Sequence, residues 1–213
     1  MSVERLTYGE PFFEIDQVVA EPSYAVRAKS IVLNLAEAPI KVGRGGLGHL
    51  RSAAVTGIEI RGIDRCLVIK DFEKYQGDLE GLFSRIKGAW KLAFDATGQE
   101  RHKGVLLWRS PKHQIGGAEV NFCFAEGIPL NVGLHREHWG GQAFKEVHTQ
   151  VIGYGKMQQC REKDPATLYR EDLMSPGCTH EPMYDEACDY PWHQYETVTK
   201  GIFQALEMRT TGD

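Results

Sequence analysis

His135-Arg136-Glu137-His138 is followed by Glu146-Val147-His148, then by Pro176-Gly177-Cys178-Thr179-His180 and by Tyr190-Pro191-Trp192-His193. Five of the chain's eight histidines fall within this span. Imidazole nitrogens and carboxylate oxygens are the donors that hold divalent metals, so a metal centre is the first chemistry these residues suggest. If 146–151 is a strand, Glu146, His148 and Gln150 point to one side while Val147, Thr149 and Val151 point to the other. Burying such a polar row without partners costs on the order of 1–3 kcal/mol per group. The row therefore needs a metal, a bound ligand or a hydrogen-bond network, because its apolar neighbours argue against simple exposure.

The elements that must position these residues read mainly as short strands. Ala28-Leu35, Val55-Ile60 and Cys66-Ile69 are aliphatic or β-branched runs, punctuated by Pro39, Gly43, Gly57 and Gly62. Leu79, Leu82, Phe83, Ile86, Trp90 and Phe94 then follow helical spacing, which predicts one amphipathic helix over about 78–95 with Asp78 as its N-cap. Strand patterns return in Val105-Trp108, Val120-Ala125, Leu130-Leu134, Val147-Ile152 and Ile202-Met208. No second helix is expected. Many short strands and one helix point to a β-sandwich or small β-barrel, with residues 1–98 as a strand-rich N-terminal segment packed on 99–213. The glycine-rich run Val42-Gly48 lacks the Gly-Lys-Ser/Thr ending of a phosphate loop and reads as a flexible connection.

Composition narrows the partners. At 213 residues the chain can bury a substantial single core. With 25 Lys and Arg against 29 Asp and Glu, the net charge is -4, which lacks the basic footprint of nucleic-acid or anionic-membrane binding. A small-molecule substrate fits better. The opening MSVERLTYGEPFFEID has no secretory pattern, and no apolar run reaches spanning length, so a soluble, cytoplasmic protein is expected. The five cysteines, Cys66, Cys123, Cys160, Cys178 and Cys188, contain no Cys-x-x-Cys pair, and packing is the expected role of most of them.

Glu146 with Gly153 after it, and Pro176-Gly177 with His180 after them, resemble the two sequence motifs of the cupin superfamily. The resemblance lies in the C-terminal part of the chain. The family's His-x-His is replaced here by His135-Arg136-Glu137-His138, so His135, Glu137 and His138 all remain candidates for the first ligand positions. The resemblance implies a mainly β fold, a cupin-like antiparallel β-barrel (double-stranded β-helix), carrying the N-terminal extension and the one helix. It also implies a metal site with open positions, for which the preferred ligands are His135, Glu146, His148 and His180. His148 is added by strand alternation and not by the motif.

His138 and His193 are then acid/base candidates, with Tyr195 as a possible proton donor beside an aromatic wall of Tyr190 and Trp192. Fe(II) suits the mixed histidine and carboxylate set best, with Zn(II), Mn(II) or Ni(II) as alternatives. The implied activity is a metal-dependent enzyme on a small polar metabolite, an Fe(II) oxygenase first, with a non-redox isomerase, lyase or dehydratase or a non-enzymatic binding module as alternatives. Similar proteins pair through sheet faces, so a homodimer is also expected. The competing structural reading is a buried ion pair of Glu146 with Lys145 or Arg136.

Overall fold

The computed structural model describes residues 1–128, 130–136, 144–183 and 190–209. Its N-terminal part is an antiparallel sheet of β1 (Ser2–Leu6), β2 (Glu14–Val26), β3 (Ser30–Asn34), β4 (Ile40–Val42), β5 (Gly45–Leu47), β6 (Ser52–Val55) and β7 (Ile58–Lys70). The long strands β2 and β7 pair from Glu14 opposite Lys70 to Val26 opposite Ile58 and form its spine. Alternation sorts its side chains. Ile31, Leu33, Leu67 and Ile69 enter one core, whereas Val32, Cys66 and Val68 enter a second core with Ile40, Leu47 and Ile60. The glycine-rich run is not a loose connection: it forms the β4–β5 hairpin, with Gly43 at φ +59° in the turn.

Helix α1 covers Leu79–Ala89, and the Asp78 carboxylate accepts from the Gly81 N–H at 3.0 Å, as an N-cap should. The helix stops earlier than its periodicity predicts. Trp90 is extended and packs against Phe12 and Phe122. Lys91–Leu92 then forms β8, paired with β9 (Leu107–Arg109). A second short helix, α2 (Ala93–Thr97), follows and closes on Gly98 in the left-handed region. Sheet pairing and aromatic packing thus override helical periodicity after Ala89, which is why the expectation of one longer helix fails.

The chain continues through β10 (His113–Ile115), β11 (Ala118–Ala125), β12 (Phe144–Ile152), β13 (Gly155–Cys160), β14 (Leu168–Met174), β15 (Trp192–Thr197) and β16 (Gly201–Arg209). Strand order β12-β16-β11-β9-β8, with β10 beside β11, makes a second antiparallel sheet, and β14-β13-β15 makes a third. Leu130-Leu134 is not a regular strand. It runs as an irregular segment whose ends bridge to β15, Asn131 to Glu196 and His135 to His193. Among the described residues no helix is long and apolar enough to cross a membrane.

The second sheet is buried on both faces. Val120, Phe122 and Phe124 of β11, Val147 and Val151 of β12, and Ile202 and Leu206 of β16 share one core with Leu33, Leu67, Phe83 and Ile86 from the N-terminal segment. Phe83 stacks on Phe124 with centroids 4.6 Å apart, and the Tyr8 hydroxyl donates to Gln204 Oε1 at 2.7 Å. The opposite face carries Cys123, Glu146, His148, Phe203, Ala205 and Glu207, which line a small cavity. Because the N-terminal segment and the sheets beyond residue 99 share this core, Phe122→Ala should destabilise the whole chain by about 3–5 kcal/mol. In urea titrations, far-ultraviolet dichroism and tryptophan fluorescence should shift together; separate transitions would mean that two units fold independently.

Candidate metal centre

Two local arrangements bring the site together. Along β12, Glu146 and His148 project into the cavity while Val147 turns into the apolar core, as strand alternation requires. Opposite them, His135 and His193 are tied backbone to backbone, with His135 N–H donating to His193 O at 3.1 Å and His193 N–H donating to His135 O at 2.9 Å. One donor atom from each of His135, Glu146 and His193 then lies within 4.8 Å of the others, with Glu146 and His193 buried.

Backbone carbonyls set the tautomers of the imidazoles. His193 Nδ1 lies 3.0 Å from Pro191 O, and His135 Nδ1 lies 3.0 Å from Gly133 O. A carbonyl oxygen only accepts, so each Nδ1 carries the proton and each Nε2 presents its lone pair. His180 Nδ1 likewise donates to Glu181 O at 2.7 Å, which makes its Nε2 an acceptor, and that Nε2 takes the His148 backbone N–H at 2.8 Å. His148 Nδ1 faces the same His180 Nε2 at 3.2 Å and so must be the protonated nitrogen of its ring.

The consequence falls on Glu146. His148 Nε2 is 3.3 Å from Glu146 Oε1, and His193 Nε2 is 3.4 Å from Glu146 Oε2. Lone pairs facing carboxylate oxygens at this range repel unless a proton or a cation stands between them. The donor set, imidazole Nε2 atoms around one carboxylate with Nδ1–H groups anchored on carbonyls, is the chemistry by which proteins hold a transition metal.

His180, one of the four residues preferred as ligands, sits differently. Both of its ring nitrogens are engaged, one by Glu181 and the other by His148, so it buttresses His148 while His193 takes the place beside Glu146. Tyr195 lines the cavity through its ring, but its hydroxyl donates to Gln150 Oε1 at 2.6 Å, and burial raises its pKa. Tyr190 packs edge-on against His193 at 4.8 Å, whereas Trp192 faces Arg136 and Lys163. Neither Lys145 nor Arg136 forms an ion pair with Glu146 among the described residues. His138 and Glu137 lie outside the described residues, as does Cys188.

The two glycines of the motifs have specific work. Gly153 has φ +74°, and a Cβ there would sit 2.4 Å from Lys200 O; Gly177 has φ +91° and would press a Cβ to 2.8 Å from that of Ala54. Both turns therefore require glycine. Three cavity-lining charges escaped the sequence reading: Arg101, Arg109 and Glu207. Glu207 had a readable signal, since it alternates with Phe203 and Ala205 on β16. Arg101 stands in a 3-10 turn (Glu100–His102) with no periodic signature.

No protein-family model and no curated protein matches the chain. It is similar to several solved structures, at 17% identity or below and with TM-scores of 0.40 or below. A sugar phosphate isomerase from a cupin superfamily of Silicibacter pomeroyi is 17% identical over 49% of this chain, with a TM-score of 0.35, and the chain spans 60% of its length. A salicylate 1,2-dioxygenase mutant from Pseudoaminobacter salicylatoxidans is 7% identical over 97% of this chain and 75% of its own, with a TM-score of 0.40. A cupin 2 conserved barrel domain protein from Leptotrichia buccalis is 10% identical over 98% and 88%, with a TM-score of 0.31.

Burial, and then the neighbouring His148, push the His180 pKa down from 6.5 to about 3. The unfolded chain therefore gains a proton near pH 6.5 that the folded chain refuses until about pH 3, so stability present above pH 6.5 is lost on acidification through that window. In metal-free protein, this group should cost about 2 kcal/mol of unfolding free energy between pH 7.5 and pH 5. His180→Gln should flatten the pH dependence of the urea midpoint by that amount; an unchanged slope would contradict it.

Proposed function

We propose that this chain is a metal-dependent cupin-type enzyme acting on a small polar metabolite, with Fe(II) the favoured ion and an oxygenase the favoured reaction. The observation that carries this reading is the convergence of His135, Glu146 and His193 donors within 4.8 Å, beside His148, in one cavity. A 2-His-1-carboxylate set with open positions suits non-haem Fe(II), and the same donors accept Zn(II), Mn(II) or Ni(II). Bound there, the ion would supply Lewis acidity and, as iron, access to one-electron chemistry with dioxygen.

The chain's own residues have separable parts in this reading. Glu146, His135 and His193 hold the ion, and His148 is the fourth donor, kept in orientation by His180. The Gly133 and Pro191 carbonyls fix the tautomers that free the Nε2 lone pairs. Tyr195 and Phe203 exclude water from one side of the cavity, since the Tyr195 hydroxyl is committed to Gln150. His138 is assigned the transfer of protons to and from substrate.

Elemental analysis of the purified protein, followed by chelation and titration with Fe(II), Zn(II), Mn(II) and Ni(II), tests the reading. Glu146→Gln and His193→Ala should each weaken metal binding by more than about 100-fold, whereas His180→Ala should weaken it by only about 10–100-fold, as expected for a group that orients a ligand. A protein that takes up none of the four ions is not this enzyme. Oxygen consumption by the iron-loaded protein with candidate substrates supports the oxygenase; turnover without it selects the isomerase or lyase alternative.

A further inference from the structure

Strand alternation gives the third sheet a second polar face, turned away from the candidate metal centre. His193 and Tyr195 of β15 line the cavity of that centre, whereas Gln194 and Glu196 line a separate cavity of about 460 Å³ with Gln158, Leu134, Leu168 and Lys163. That volume falls in the roughly 300–1,000 Å³ range of small-molecule sites. Its floor is a directed chain of amides. Gln158 Nε2 donates to Glu171 Oε2 at 2.8 Å and to Glu196 Oε2 at 2.6 Å, and Gln158 Oε1 accepts from Gln194 Nε2 at 2.7 Å. The Gln158 amide and Lys156 hold the Glu171 carboxyl below the usual carboxylate range, so it is ionised and only accepts. Both amides are thereby fixed in orientation, and the buried Gln194, only 6% exposed, ends the chain with its Oε1. Among the described residues that oxygen has no hydrogen-bond partner.

The charges on this cavity are unanswered as well. Lys156 pairs with Glu171 at 3.0 Å and feels Glu196 only at longer range. Among the described residues no basic group lies within ion-pair distance of Glu196, whose Oε2 is taken by Gln158. The exposed Lys163 lines the same cavity, stands 5.6 Å from the Trp192 ring centroid, and among the described residues has no carboxylate within ion-pair distance. Opposite charges that line one cavity without meeting are separated by the space a guest would fill. A buried amide oxygen beside an unpaired carboxylate suits an ammonium group, whose three N–H donors need acceptors, and the lysine suits a carboxylate. A neutral guest would leave both charges unanswered, and a simple amine or a simple acid would answer only one.

We propose that this outer cavity binds a small zwitterion of the amino-acid class, its ammonium held by Gln194 Oε1 and Glu196 and its carboxylate by Lys163. Leu134 and Leu168 offer apolar contact to a side chain between the two ends. The site stands apart from the proposed metal centre: no residue of the two cavities is shared, and neither the amide chain nor the two charges depend on a bound ion.

The test uses the full chain as purified, with folding checked by circular dichroism. Each of the twenty standard amino acids is titrated calorimetrically, and any that binds is compared with its amide, which keeps the ammonium, and with its N-acetyl derivative, which keeps the carboxylate. Wild type should bind at least one amino acid at least tenfold more tightly than either derivative. Glu196→Gln, which can still accept from Gln158, should lose at least tenfold in affinity for that amino acid. Lys163→Ala should lose affinity for the amino acid and leave that for its amide unchanged. Glu146→Gln, in the other cavity, should bind the amino acid as wild type does. No binding of any amino acid by wild type, equal affinity in wild type and Glu196→Gln, or loss of binding in Glu146→Gln alone, which would put the guest in the metal-centre cavity, overturns the proposal. If Glu196→Gln does not fold, the surface variant Lys163→Ala decides: an amino-acid-to-amide affinity ratio undiminished from wild type overturns it.

Discussion

Burying both faces of β12 obliges every polar group on that strand to meet a partner inside the protein. Val147 and Val151 satisfy the requirement on one side by entering the core shared with the N-terminal sheet and α1. On the other side Glu146 and His148 cannot be satisfied by their own strand, and in register Glu146 sits opposite Glu207 of β16, like charge against like charge. The surrounding structure answers this arrangement: histidines and Arg101 around Glu146, Arg109 and Lys112 around Glu207.

The N-terminal half belongs to the same account. It contributes no donor to the candidate centre, yet its sheet and helix cover the outer face of the β11–β16–β12 layer, which would otherwise expose Phe122, Phe124 and Ile202. A sheet supported over its whole outer face holds its inner side chains in fixed positions, which metal coordination demands to within fractions of an ångström. Backbone pairing supplies the same rigidity elsewhere. The paired amides of His135 and His193 and the Gln150–Gly177 and Gln150–Cys178 hydrogen bonds pin the irregular segments that approach the cavity.

His180 illustrates how one residue type serves two purposes. Its sequence setting, after Pro176-Gly177, made it an expected ligand, and its ring is buried within reach of His148. The Glu181 carbonyl nevertheless takes its Nδ1 proton, and its remaining lone pair is spent on the His148 backbone and ring. The result is a relay of orientation: Glu181 O fixes His180, and His180 fixes the face that His148 presents to Glu146.

Local pattern made much of this legible. Period-two alternation placed Glu146 and His148 on one face, the Asp78 cap was readable from its position before an apolar helical stripe, and Gly153 and Gly177 marked turns that a Cβ would block. The antiparallel, mainly β architecture followed from many short aliphatic runs, because strand periodicity is a property of neighbouring residues. The end of α1 at Ala89, the partnership of His193 with His135, the engagement of both nitrogens of His180 and the entry of Arg101 into the cavity were decided by tertiary structure. Each depends on a carbonyl, a ring or a strand edge distant in sequence, and spacing along the chain carries no record of where such a partner will lie.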